Sequence, residues 1–140
     1  MIEYAATFTL PAGEKHTAST FEALTGYMPA EFSRFLVYDP AAKEAKPISD
    51  GPGEQPLPLI FSTPSGGHAM GITSPELKPG YGRFRFEREK VVKWNCVFRV
   101  KRPEGVPAGD YAYRNFVAVG TLDDVVASLR KLHDLLAERR

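Results

Sequence analysis

Apolar and polar side chains alternate with a period of two over most of the chain, and glycines and prolines interrupt the alternation at short intervals. The pattern is cleanest in residues 91–100, VVKWNCVFRV. Val92, Trp94, Cys96, Phe98 and Val100 fall on one side there, and Lys93, Asn95 and Arg99 on the other. Such a segment predicts an antiparallel strand that is dry on one face and wet on the other. Residues 81–89, YGRFRFERE, repeat the scheme, with Phe84 and Phe86 expected inward and Arg83, Arg85 and Glu87 outward. Residues 110–120 form a third long candidate, and shorter ones lie at 4–10, 19–28, 32–39, 58–63 and 68–74. The expected class is all-β, an antiparallel β-sandwich of about eight strands.

The period changes at the end of the chain. From Thr121, the sequence TLDDVVASLRKLHDLLAERR sets Leu122, Val125, Val126, Leu129, Leu132 and Leu136 on one helical stripe. A C-terminal helix over 121–138 follows, with Thr121 as N-cap and Asp124 as its capping-box partner. Asp123 and Asp124 suit the positive end of the helix dipole, and Arg139 and Arg140 the negative end. The stripe must be covered, most simply by the sheet. Residues 40–58 carry five prolines and two glycines and read as one long loop, because proline donates no ladder hydrogen bond.

The 140 residues read as a single domain, 1–140, large enough to fold around its own core. The formal net charge of +1 provides no global attraction to nucleic acid or membrane, so any basic character is local. Cys96 is the only cysteine, which excludes an internal disulfide and a multi-cysteine zinc site. The opening MIEYAATFTLP lacks the basic-then-apolar pattern of a secretion signal, so none is expected, and no apolar run approaches the roughly 18 residues of a membrane span. A cytoplasmic location is expected, unless the chain is a trimmed secreted domain.

Residues 62–76, STPSGGHAMGITSPE, pose the sharpest chemical question. The glycines permit a tight turn and close approach of a ligand, and a histidine beyond them, His68, is a residue type suited to general-base or ligand-donor work. Glu54 and Glu76 are the carboxylates that would partner it in acid–base chemistry. The competing reading is a plain hairpin with His68 at the start of its second strand. His16, His68 and His133 have no metal-binding spacing, so no metal and no cofactor are expected. Nucleophile-elbow and phosphate-loop motifs are absent, and Cys96 falls on an apolar face where a thiol is inert.

Arg83, Arg85, Lys93, Asn95 and Arg99 are expected together on the wet side of two adjacent strands, joined by Arg114 from a third. Guanidinium forks there would bind carboxylate, phosphate or sulfate, and Asn95 would read hydroxyls. The alternative is a solvated face whose arginines pair with neighbouring glutamates. Tyr4, Tyr27, Tyr38, Tyr81, Tyr111 and Tyr113 include candidates for stacking on sugar rings, although AGDYAYR (108–114) matches a strand entry at which a tyrosine hydroxyl ties down a corner. No aromatic RNA-binding motif and no high isoelectric point point to nucleic acid.

GEQPLP (53–58), GGHAMG (66–71), KWNCVFR (93–99) and GDYAYRNFVAVGTLDD (109–124) together resemble the later strands of carbohydrate-associated supersandwich domains of the galactose-mutarotase-like type. The resemblance implies sugar binding on a concave sheet face, and for epimerase members a His and a Glu in acid–base roles. The second histidine of those epimerases has no match here, and a full supersandwich is about twice as long. The expected function is therefore a non-catalytic module that binds a carbohydrate or small anionic ligand on the basic sheet face. Two alternatives stand beside it. One is a sugar-acting enzyme using His68 with Glu54 or Glu76. The other is an assembly domain that forms a homodimer through the helix or a strand edge.

Overall fold

The computed structural model describes residues 1–76 and 80–138. Arg139 and Arg140, expected to complement the end of the helix, lie outside the described residues. The described residues form ten antiparallel strands and one helix: β1 (Ile2–Leu10), β2 (Ala18–Pro29), β3 (Arg34–Asp39), β4 (Glu44–Pro47), β5 (Gly53–Gln55), β6 (Leu59–Ser62), β7 (Ala69–Thr73), β8 (Tyr81–Phe86), β9 (Val91–Lys101), β10 (Gly109–Gly120) and α1 (Leu122–Glu138). They build a six-stranded sheet, ordered β1-β10-β7-β6-β3-β4, and a four-stranded sheet, ordered β2-β9-β8-β5.

All eight expected strands are present. The two additional strands, β4 and β5, correct the reading of 40–58 as a structureless loop. Both are short edge strands, where proline costs least because one side of the strand needs no ladder donors. Pro47 closes β4, and the peptide before Pro52 is cis.

The main core lies between the sheets. Phe35, Leu59, Phe61, Met70, Ile72 and Val117 of the larger sheet meet Phe21, Tyr81, Val92, Trp94, Cys96 and Phe98 of the smaller. Phe98 stacks on Tyr113 with 3.9 Å between ring centroids, and Phe35 on Phe61 with 4.1 Å. The even positions of β9 therefore face the interior, as their alternation predicts. Tyr111 Oη donates to the Pro107 carbonyl at 2.7 Å, the corner tie expected of AGDYAYR.

A second core forms on the other face of the larger sheet, where Val125 and Leu129 of α1 pack on Leu36, Tyr38, Ile60, Ala69 and Ala118. The helix can sit close because β7 offers Gly71 beneath it. A Cβ there would lie 2.7 Å from Val125 Cγ1 and 3.0 Å from Leu129 Cδ1. At the start of α1, the Asp124 carboxylate accepts from the Thr121 amide and hydroxyl, while the Asp124 amide donates to Thr121 Oγ1. This reciprocal cap is the one expected from the sequence.

One correction concerns β8. Its register with β9 sets Arg83 opposite Trp94, Arg85 opposite Val92 and Phe84 opposite Lys93. Directly opposed residues share a face, so Arg83 and Arg85 lie on the core side, and Phe84 and Phe86 face outward. The arginines are accommodated because the 48–50 segment reaches them. Arg83 donates to the Ser49 carbonyl (2.6 Å), Ser49 Oγ (2.8 Å) and Gln55 Oε1 (2.7 Å). Arg85 donates to Asp50 (2.9 Å) and the Ser33 carbonyl (3.1 Å), with its guanidinium 5.1 Å from the Phe35 ring centre.

Candidate functional site

The helix covers one face of the larger sheet and the core fills the space between the sheets, which leaves the outer face of the four-stranded sheet. Its first row crosses three strands, with Tyr27 opposite Lys93 and Lys93 opposite Phe84. The Lys93 ammonium lies 5.5 Å from the Tyr27 ring centre and 5.9 Å from that of Phe84. Phe86 continues the surface, 6.3 Å from Phe84 and 6.4 Å from Tyr27 between ring centres. Tyr27 is 62% exposed and Phe86 37%, high values for rings of this size. The result is an aromatic platform of three rings around one cation, itself tethered to Glu22 at 3.2 Å.

The next row runs Thr25, Asn95, Gly82, Glu54 across all four strands. Asn95, which the alternation places in water, is buried, at 6% exposure. Gly82 opposite it has no side chain, and the amide settles into that space: a Cβ on Gly82 would collide with Asn95 Oδ1. That oxygen has no hydrogen-bond partner among the described residues. Farther along β9, Arg99 holds Glu54 in a bidentate bridge, at 2.9 and 2.7 Å. The bridge raises the Arg99 pKa above its ordinary value.

The expected basic surface is thus divided and neutralised. Lys93, Asn95 and Arg99 share the outer face, whereas Arg83 and Arg85 are on the core side of β8. Arg114 belongs to the other sheet, on β10, where Glu76 binds it at 3.4 Å. Arg85, Lys93, Arg99 and Arg114 each contact a carboxylate, from Asp50, Glu22, Glu54 and Glu76 respectively.

His68 does not join either carboxylate. Its backbone closes the β6–β7 hairpin, with the Thr63 amide donating to the His68 carbonyl at 2.9 Å and the His68 amide to Thr63 Oγ1 at 3.2 Å. The ring is exposed at the edge of a hollow of about 410 Å3 formed with Met28, Glu31, Phe32 and Val119. Glu76 follows the far end of β7, roughly 20 Å away at the rise of an extended strand. There it accepts from Ser74 Oγ at 2.9 Å. Glu54 lies near that same far end: its neighbour Gln55 pairs with Tyr81, and the Tyr81 hydroxyl bonds Ser74.

A second concavity, of about 560 Å3, opens beside the end of α1 and is lined by Pro56, Pro58, Pro75, Tyr81, His133 and Leu136 among others. Its polar groups are spent on one another. Thr73 Oγ1 lies 3.2 Å from His133 Nε2, and Tyr81 Oη both accepts from the Ser74 amide (2.7 Å) and donates to the Ser74 carbonyl (3.1 Å). Cys96 is fully buried, which pushes its thiol far above the ordinary range and removes it from nucleophilic chemistry. Among the described residues, no group of three His, Cys, Asp or Glu side chains could hold a metal ion. No helix of the described residues is long and apolar enough to cross a membrane.

Sequence reasoning missed Phe84 and Phe86 as surface residues. Alternation pairs them correctly with each other but cannot say which face is theirs. Comparison of the chain with protein-family models, with curated proteins and with solved structures found no match to any of them.

Proposed function

We propose that the chain is a non-catalytic carbohydrate-binding module and that the outer face of its four-stranded sheet receives the sugar. The observation that carries this reading is the platform of exposed Tyr27, exposed Phe86 and half-buried Phe84 arranged around Lys93. Aromatic rings offer rigid apolar area at small entropic cost, and the apolar faces of pyranose rings fit flat against them. Ring hydroxyls need donors and acceptors at the rim of the stack. Lys93, Glu22, Thr25 and the Arg99–Glu54 pair supply both on the same face.

Charge narrows the ligand. Lys93 and Arg99 each already hold a carboxylate, so the part of the face around the platform favours a neutral sugar over a free anion. The resemblance to galactose-mutarotase-like domains, in which sugars bind a sheet face of a sandwich, points the same way. The enzymatic alternative draws no support from geometry, because His68 is at the opposite end of β7 from Glu76.

The test is titration of the chain with neutral oligosaccharides, followed by calorimetry and by amide shifts in nuclear magnetic resonance. Binding should perturb β2, β8 and β9, and Tyr27→Ala with Phe86→Ala should weaken it at least tenfold. Both side chains are exposed, so the fold should survive. Failure of a broad panel of neutral glycans to bind, or binding unaffected by these substitutions, overturns the proposal.

A further inference from the structure

The free edge of β1 is unlike the other three sheet edges. β4 and β5 have four and three residues, and β2 carries a bulge between Glu22 and Leu24. Strand β1 runs nine residues, IEYAATFTL, paired without interruption to β10 and, among the described residues, on that side only. It contains no proline and no lysine, and its one charge is Glu3. Short length, bulges, prolines and lysines are the devices that keep sheet edges from pairing, and β1 has none of them. Its first residues also leave apolar surface in solvent: Met1, Ile2 and Tyr4 are 51%, 47% and 43% exposed.

We propose that a second copy of the chain pairs with this edge, β1 antiparallel to β1, and joins the two six-stranded sheets into one. The strand is self-complementary in the arrangement that symmetry requires. A two-fold axis perpendicular to the sheet keeps the core-side face of each copy on the same side. Opposed residues must then have the same parity, and full overlap of residues 2–10 centres the axis on Ala6. Ile2 meets Leu10 of the partner, Tyr4 meets Phe8, and Ala6 meets Ala6, which makes an apolar row on the core side. On the other side Glu3 meets Thr9 and Ala5 meets Thr7. No charge opposes a like charge, and the exposed Ile2 and Tyr4 gain apolar neighbours. This occupant follows from β1 itself and is independent of any sugar on the other sheet.

Sedimentation equilibrium across a concentration series is the primary measurement, with a mass twice that of the chain expected. Ala6→Cys should cross-link to its own copy under mild oxidation, since the directly opposed residue is within disulfide reach and Cys96 is buried. The double variant Ala5→Glu, Thr7→Glu should return the protein to monomer. Both positions are exposed on the outer side, and the carboxylate that Ala5→Glu introduces stands opposite Arg114 of its own chain, so the monomer fold is favoured. A monomer at every concentration overturns the proposal, as does a dimer that survives the double variant or forms no Ala6→Cys cross-link.

Discussion

Arg99 and Glu54 join the second and fourth strands of the smaller sheet by two hydrogen bonds, at 2.9 and 2.7 Å, across an intervening strand that offers Gly82 opposite Glu54. The pair is about one-third exposed. Ion pairs in such surroundings contribute little to folding, on the order of 1 kcal/mol or less. Their larger consequence is the charge of the face. Glu54→Gln frees the guanidinium while preserving shape, so it should shift melting by no more than a few degrees. Affinity for acidic sugars should rise at least threefold against their neutral counterparts. Parallel calorimetric titrations of wild type and variant with one neutral and one uronic oligosaccharide measure this ratio.

Tyr81 is the buried anchor of the segment that follows β7. Its hydroxyl satisfies both the amide and the carbonyl of Ser74. Tyr81→Phe leaves those two backbone groups buried and unpaired, with an expected loss of about 1–3 kcal/mol in denaturant unfolding. Burial pushes the Tyr81 pKa up to about 12, so the folded state holds its proton more tightly than the unfolded state does. The stability this provides is complete below the ordinary tyrosine range near 10 and falls as pH rises toward 12. Ultraviolet absorbance of ionised tyrosine should show a late step that Tyr81→Phe removes.

The helix cap titrates in the opposite sense. The hydroxyl and amide of Thr121 hold the Asp124 carboxyl below its usual range. A depressed carboxyl stabilises the fold above its unfolded pKa, and that contribution disappears as pH falls through the folded value. Acidification below about pH 4 should therefore release the first turn of α1 before the sheets unfold. Amide exchange of residues near 124 measured against pH should show protection falling there first, and Asp124→Asn should flatten that dependence. Equal loss of protection in β9 at the same pH would contradict the local cap.

How much of this was written in the sequence depends on what each feature requires. Positions 92–100 have two unlike sides, and Trp94, Cys96 and Phe98 are buried as the alternation demands. The helix carries its own period and its own cap. For 81–86 the two sides are a Phe pair and an Arg pair, and the apolar pair is the natural choice for the core. The choice fails because register with β9, together with the reach of Ser49 and Asp50, sets the face. Asn95 is buried for a reason on another strand, the missing side chain of Gly82. Residues 44–47 and 53–55 form strands among prolines because they are edges, a property of sheet order and not of local composition. The separation of His68 from Glu76 is likewise a matter of strand geometry, because β7 runs its length between them.

The contact between helix and sheet rests on Gly71, and its size can be measured. Strand β7 is held on both sides, by β6 and β10, so its backbone cannot retreat when a side chain is added. Gly71→Ala places a methyl 2.7 Å from Val125 Cγ1 and 3.0 Å from Leu129 Cδ1, well inside van der Waals contact. Overpacking of this kind costs about 1–3 kcal/mol. Val125→Ala alone opens a cavity and is also expected to destabilise, by a similar amount. In the double variant the new methyl occupies space that Val125 gave up, so the two losses should fall short of additivity by about 0.5–3 kcal/mol. Urea unfolding of the four proteins in the cycle gives that coupling directly. Strict additivity would mean that the helix does not seat on β7 as described, because only direct contact between the two positions lets one substitution relieve the other.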